Sequence, residues 1–434
     1  MRDALIDLGE VPSGEPASAL PRPPLPSYRW ILGLLAVVLA ALLGGAGPPP
    51  PSSGPVVLPI ELGDRFQVAG DRLYVAGLAG PIGTVMRTYV IRTYQLPEVT
   101  PLGEFRATVP GDIYTFSAIG DDVLLVAYND MQLARSGLLA SRVGGGEPLW
   151  ERPASLYGID QDTGLVLIED DAEPDRSIWR ALDSRTGAVR WSLDQPGSSG
   201  QVTLSTGAYW EGYPARLFSV RDDGLIEVRD GHTGAVTATA RLPRPPGEGF
   251  VLWATAGLLV AGYGAEETIA YDEVTMAERW RRTGEVLSEG GYPQDCGPMI
   301  CLISFPNGLS VVDPADGREV ANVDGYDATE VIDGRVLVSQ ASQTAPVLAV
   351  LDPRTGRTTA AGPWVSGGPG PRPGTAWVYR HQAVGYALRY GILDVTTGRV
   401  WIRGQAERIA GDCQFSANAL VCRQLDSSIA IWRL

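Results

Sequence analysis

The residues of this 434-residue chain best suited to do chemistry are its four cysteines, which fall into two close pairs, Cys296/Cys301 and Cys413/Cys422. A zinc site would want Cys-x-x-Cys spacing or nearby histidines, and the two histidines, His232 and His381, belong to neither pair. A redox-active dithiol would want that same spacing in an electropositive setting. The contexts QDCGPMICLISF and GDCQFSANALVCRQL instead place one cysteine at the end of an inner strand and the other early in the next. Adjacent antiparallel strands bring such residues within disulfide range, so the pairs 296–301 and 413–422 are expected. Paired cysteines suit an extracytoplasmic compartment.

The remaining candidates are weaker. The run Asp171-x-Glu173-x-Asp175 imitates the first three ligand positions of a calcium loop, yet Arg176 stands where that loop needs glycine and no Glu follows at the twelfth position. It reads as a solvated loop, and no metal or other cofactor is assigned. Gly144 to Gly146 and Ser366 to Gly374 lack the lysine and helix of a phosphate loop and read as turns. Neither histidine has a Ser, Cys or carboxylate pattern that nominates a partner, so no catalytic residue is assigned. The net charge of −15 argues against nucleic acid as a partner. All 35 basic residues are arginine, as a GC-rich bacterial genome would encode, so arginine enrichment is no phosphate-binding signal.

The elements that position these residues follow from a repeat. Ala181 to Trp191 reads ALDSRTGAVRW, and Ala270 to Trp280, AYDEVTMAERW, matches it with Met276 in place of glycine. Degenerate copies start at Val228, Val311, Val350 and Ile392. Their aspartates are Asp183, Asp230, Asp272, Asp313, Asp352 and Asp394, and a period near 42 is one four-stranded propeller blade. Each Asp can accept backbone N–H bonds across its turn. The glycines at Gly187, Gly234, Gly317, Gly356 and Gly398 supply positive φ, and Trp191, Trp280 and Trp401 can pack between neighbouring blades.

The eleven-residue pattern resembles the tryptophan-docking repeat of the PQQ-like propeller family, over about residues 56–434. The resemblance implies an all-β fold, a single propeller of four-stranded blades. Eight blades are expected, within a range of seven to nine, because the unit around Thr375 to Gly404 lacks a visible inner strand. The enzymes of that family carry adjacent cysteines, a calcium site and a catalytic aspartate; no segment here matches them, so the resemblance implies the propeller without the quinone. The chain ends without a final outer strand, which Pro55 to Leu62 can supply.

Upstream, Trp30 to Ala46 is uncharged and apolar, and at about 1.5 Å per residue reaches roughly 25 Å, enough for one transmembrane helix. Arg22 and Arg29 precede it and nothing basic follows until Arg65, which orients the N-terminus to the cytoplasm. A cleaved signal peptide is the competing reading, disfavoured by the long acidic segment before the apolar core. The expected organisation is a disordered cytoplasmic tail at 1–29, the helix at 30–46, a proline-rich spacer at 47–55 and the propeller at 56–434, held outside the cell membrane. The expected function is non-catalytic binding of a protein or envelope polymer; the alternative is a membrane-bound PQQ-dependent oxidoreductase. A further expectation is an acidic arc on the face opposite the cysteine hairpins, from the loops at 129–130, 169–175, 222–223 and 266–267.

Overall fold

Short β-branched and apolar runs punctuated by Gly, Pro and Asp favour strands over helices. The computed structural model describes residues 54–434 outside 81–85, 131–134, 171–175, 197–200, 206–211, 248, 265, 284–291, 305–307, 341–346 and 383–384. Its described residues hold thirty-six strands in nine antiparallel four-stranded sheets. Eight sheets are consecutive in the chain: blades one to eight at 65–110, 112–152, 154–196, 201–241, 250–283, 292–324, 326–362 and 365–406. Blade nine joins three strands at 409–433 to Val56–Leu58.

Within each blade the chain runs outward. First strands touch across most blade boundaries, blade nine's meeting blade one's among them, so the sheets close into a ring. Stacked blades bury the second strand on both faces, which is why Leu258–Tyr263 (LLVAGY) is apolar at almost every position instead of alternating. Fourth strands such as Glu278–Thr283 and Val236–Arg241 keep one row or none inside and carry charge outside. Nine buried apolar clusters lie among the described residues, one at each blade boundary. The cluster between blades nine and one gathers Phe66, Leu73, Val75, Val421, Ile429 and Ile431, with Leu58 and Ile60 packed against it.

Two expectations meet different outcomes. The closing strand is as expected: Val56, Val57 and Leu58 pair with Ile431, Ala430 and Ile429. The blade number is nine, not eight. The inner strand before Thr375 is Val365–Pro369, which overlaps the glycine- and proline-rich run Ser366 to Gly374 that reads as a turn. A Cβ on Gly367 would lie 2.5 Å from the Phe415 ring of blade nine, so this strand is glycine-rich because its neighbour comes too close for a side chain.

The expected tail, transmembrane segment and most of the spacer, residues 1–53, lie outside the described residues. Among those described, no helix is long and apolar enough to cross a membrane.

Candidate functional site

Both cysteine pairs are disulfides, Cys296–Cys301 and Cys413–Cys422, with Cα separations of 5.5 and 4.2 Å. Each ties the first strand of its blade to the second, in blades six and nine. They lie within five and nine residues of sequence, so they fix local register more than they restrict the unfolded chain.

The repeat aspartates organise third-to-fourth-strand turns. Asp183 Oδ1 accepts from the backbone N–H of Arg185 and Thr186 and from the Thr186 hydroxyl. Asp230 and Asp272 do the same with His232/Thr233 and Val274/Thr275. Asp313, Asp352 and Asp394 cap their turns through backbone donors at Ala315, Arg354 and Thr396. In all six the residue four positions on donates its N–H to the Asp carbonyl. An unforeseen seventh turn, Asp160 to Gly164, uses the same Asp-x-x-Thr-Gly chemistry between the first two strands of blade three. His232 sits beside it, 2.9 Å from Asp160 Oδ2.

These bonds favour the ionised carboxylate. The Arg190 guanidinium holds Asp183 below the usual carboxylate range, the Thr233 hydroxyl does so for Asp230, and the Thr275 backbone N–H together with Arg279 does so for Asp272. A carboxyl with a lowered folded-state pKa adds stability that is present above its unfolded value of about 3.9 and lost as pH falls through the folded value. Thermal melts of wild type and Asp272→Asn are therefore expected to differ at pH 7, and the difference should shrink steadily as pH falls below about 4. A difference that stayed constant with pH would contradict the role given to the charge.

The docking tryptophans explain the turn glycines. Trp191 donates its Nε1–H to the Gly231 carbonyl of the next blade at 3.0 Å, and Trp280 donates to Pro314 at 2.9 Å. Trp150, whose upstream turn lacks the Asp-Thr signature, donates to Ser184 at 2.7 Å. A Cβ on Gly187, Gly234 or Gly317 would come within 2.7–2.8 Å of the Trp150, Trp191 or Trp280 ring, and all three glycines have φ near +70°. The exception completes the rule. Blade four has Ala238 at the tryptophan position, and the facing turn in blade five carries Met276, at φ +58°, in the same apolar cluster. Without the indole, a larger side chain occupies its place.

Two of these tryptophans are followed two residues later by an arginine that grips the same turn. Arg152 donates to the Gly187 carbonyl at 3.2 Å and Arg282 to that of Gly317 at 2.7 Å. The Trp-x-Arg spacing was legible in WER, WRR and WIR but was not singled out.

Trp401 departs from the expectation that it packs between blades. It lies opposite Ile392, two residues before Asp394, just as Trp191 lies opposite Ala181 and Trp280 opposite Ala270. Yet it is 47% exposed, and Ile402 is 56% exposed. The cause is the ring closure. Blade nine takes its fourth strand, Val56–Leu58, from the far end of the described chain, so no hairpin turn links its third and fourth strands to cover the indole. What remains is a recess of about 300 Å³ lined by Pro371, Arg372, Ile392, Trp401, Ile402 and Arg403. It adjoins one of about 370 Å³ that reaches Trp377, Arg433 and Leu434. At the boundary of blades five and six, where Trp280 is docked, the space beside the indole is about 10 Å³.

The inner strands of blades one to three line a further recess of about 340 Å³, at Gln67, Tyr114, Thr115 and Gly158. Gln67 spans blades one and two through Phe116 N–H and C=O, and Gln414 spans blades nine and one through Val68 N–H and Phe66 C=O. Both amides are thus engaged in stitching inner strands.

Asn129 and the acidic Glu169, Asp222, Asp223, Glu266 and Glu267 do lie at second-to-third-strand connections, on the rim opposite the Asp-Thr-Gly turns. The arc is not bare, however. Asp170 is only 4% exposed and pairs with Arg180; Asp223 pairs with Arg241, Glu266 with Arg244 and Glu267 with Arg281. Neutralising the buried Asp170 would break its pair with the half-buried Arg180, so it would cost stability, contrary to its reading as a solvated charge. Asp171, Glu173 and Asp175 lie outside the described residues. Among the described residues no group of three or more His, Cys, Asp or Glu side chains is arranged to hold a metal ion.

These features define the class: a nine-bladed β-propeller closed by Val56–Leu58, with a tryptophan docked on the next blade's turn at three of its boundaries. No family model matches the sequence, and no curated protein does. Among solved structures, the chain is similar to BamB from Moraxella catarrhalis, at 18% identity and TM-score 0.38, over 74% of this chain and 96% of that one. It is also similar to the computationally designed Ika8 protein, at 14% identity and TM-score 0.44, over 75% of this chain and 98% of that one.

Proposed function

We propose that this chain is a membrane-anchored, extracytoplasmic propeller that binds a protein or envelope partner through the rim of blade eight and catalyses no reaction of its own. The observation that carries the reading is the exposed Trp401–Ile402 pair flanked by Arg372 and Arg403. Tryptophan and arginine around an apolar centre are the composition of interface hot spots, and an indole left in water on an otherwise acidic, soluble surface is costly unless something covers it. Both disulfides fit an oxidising compartment, and the apolar run Trp30 to Ala46 supports the anchor.

Full-length protein captured from solubilised membranes is expected to bring down a partner that Trp401→Ala loses while melting normally. Retention of the same partner by Trp401→Ala would move the interface elsewhere. Incubation with PQQ and calcium is expected to give neither bound-quinone absorbance nor dehydrogenase activity with an artificial acceptor; either signal would restore the oxidoreductase reading.

A further inference from the structure

We infer that the recess at the boundary of blades eight and nine is a docking slot for a glycine-containing hairpin turn of a partner protein, an inference that rests on the rim being the docking surface. The chemistry of the slot is set out three times elsewhere in the ring. Trp150, Trp191 and Trp280 each present an indole N–H to the carbonyl one residue after the start of the next blade's turn. Arg152 and Arg282 each present a guanidinium to the carbonyl of that turn's glycine. The ring face then lies against the glycine, which must lack a Cβ. Blade eight repeats the donor pair as Trp401 and Arg403, and both line one recess, Arg403 standing at the bulge of its strand. Neither the Trp401 indole nor the Arg403 guanidinium makes a hydrogen bond or ion pair among the described residues.

The walls agree with that occupant. Ile392 and Trp377 form the floor, continuing the row that Leu167 and Ala181 form under Trp191, and the buried Trp377 Nε1–H has no hydrogen-bond partner among the described residues. Pro371 and Ile402 add apolar sides. A phosphate polymer or a lone anion would satisfy the arginines and leave these surfaces in water. A hairpin turn offers carbonyl acceptors at the indole and guanidinium, and covers the ring with its backbone. An Asp-x-x-Thr-Gly turn adds a carboxylate that Arg372, exposed and without an ion pair, can meet at the mouth.

The test is calorimetric titration of the full-length chain in detergent with a cyclised peptide carrying residues 181–190 of this sequence, ALDSRTGAVR. Binding is expected, and Trp401→Phe, which keeps an aromatic ring but removes the N–H, should weaken it roughly tenfold, as should Arg403→Gln. A peptide with valine in place of the glycine should not bind. Unaltered melts of both variants would show that they are folded. No binding to wild type, equal binding by the variants and wild type, or binding of polyphosphate in place of the peptide would each overturn the inference. If the peptide fails while Trp401→Ala still loses its captured partner, the turn chemistry falls and rim docking stands. If the peptide binds and partner capture ignores Trp401, the slot stands and the rim reading falls.

Discussion

Deleting residues 55–62, with all preceding residues kept, is expected to lower the melting temperature by roughly 5–10 °C. The deletion removes the strand pairing of Val56–Leu58 with Ile429–Ile431 and takes Leu58 and Ile60 off the cluster between blades nine and one. Two partly buried aliphatic side chains and a short ladder are together worth about 5 kcal/mol. For a propeller of this length that corresponds to the stated shift. The effect also exceeds the loss of contacts, because an open ring leaves blade nine with an unpaired edge and an apolar face. Leu62→Ser separates closure from bulk, since Leu62 is 87% exposed and its loss should leave the melt in place. An unchanged melt in the deletion would mean that the ring closes without Val56–Leu58.

The second large effect is a coupling between indole and glycine. Gly234→Met forces a side chain into positive φ and against the Trp191 ring, and is expected to destabilise by about 2–4 kcal/mol. Trp191→Ala removes a buried indole and should cost about 3–5 kcal/mol. The double variant recreates the arrangement of Ala238 and Met276 one blade further on, so it should cost less than the sum by about 2 kcal/mol. Denaturant titration of the four proteins measures this directly. Strictly additive costs would show that Met276 does not take the place of a docking tryptophan.

The parts of this fold that could be read in advance are those where one residue type has one physical job. Aspartate at a turn, glycine at positive φ and tryptophan eight residues on recur with the blade period, so the repeat and the phase of the loops were visible. The closing strand was visible because a propeller blade short of an outer strand needs one from the other terminus. The ninth blade was hidden by chemistry that works against the usual strand signals. Its inner strand is glycine-rich because Phe415 presses on it, and glycine-rich runs otherwise mark turns. Charge was misread for a related reason: Asp170 lies in an acidic stretch, but its partner Arg180 comes from the adjacent strand and removes it from solvent.

The rim site was legible only in part. Trp401 reads as a member of the tryptophan set, and it pairs with the residue two before its aspartate as Trp191 and Trp280 do, although its strand bulges after the tryptophan and theirs bulge before it. Its exposure depends on a feature of the whole ring, the replacement of one hairpin turn by a strand from residues 56–58, which no local pattern reports. The Trp-x-Arg pairs carried the missing clue, since the arginine gains its meaning only when a neighbouring turn's carbonyl is seen in its grip.

We propose that the surface around Trp401 is where this propeller meets its partner. Site-specific photo-crosslinking in native membranes tests this, with a benzophenone amino acid placed at Ile402, beside the intact indole, and, as a control, at Val236, an exposed outer-strand residue of blade four. A discrete adduct at 402 that is absent at 236, and is lost when Trp401→Ala is added, is the predicted result. Equal adducts at both positions, or none at 402, would contradict it.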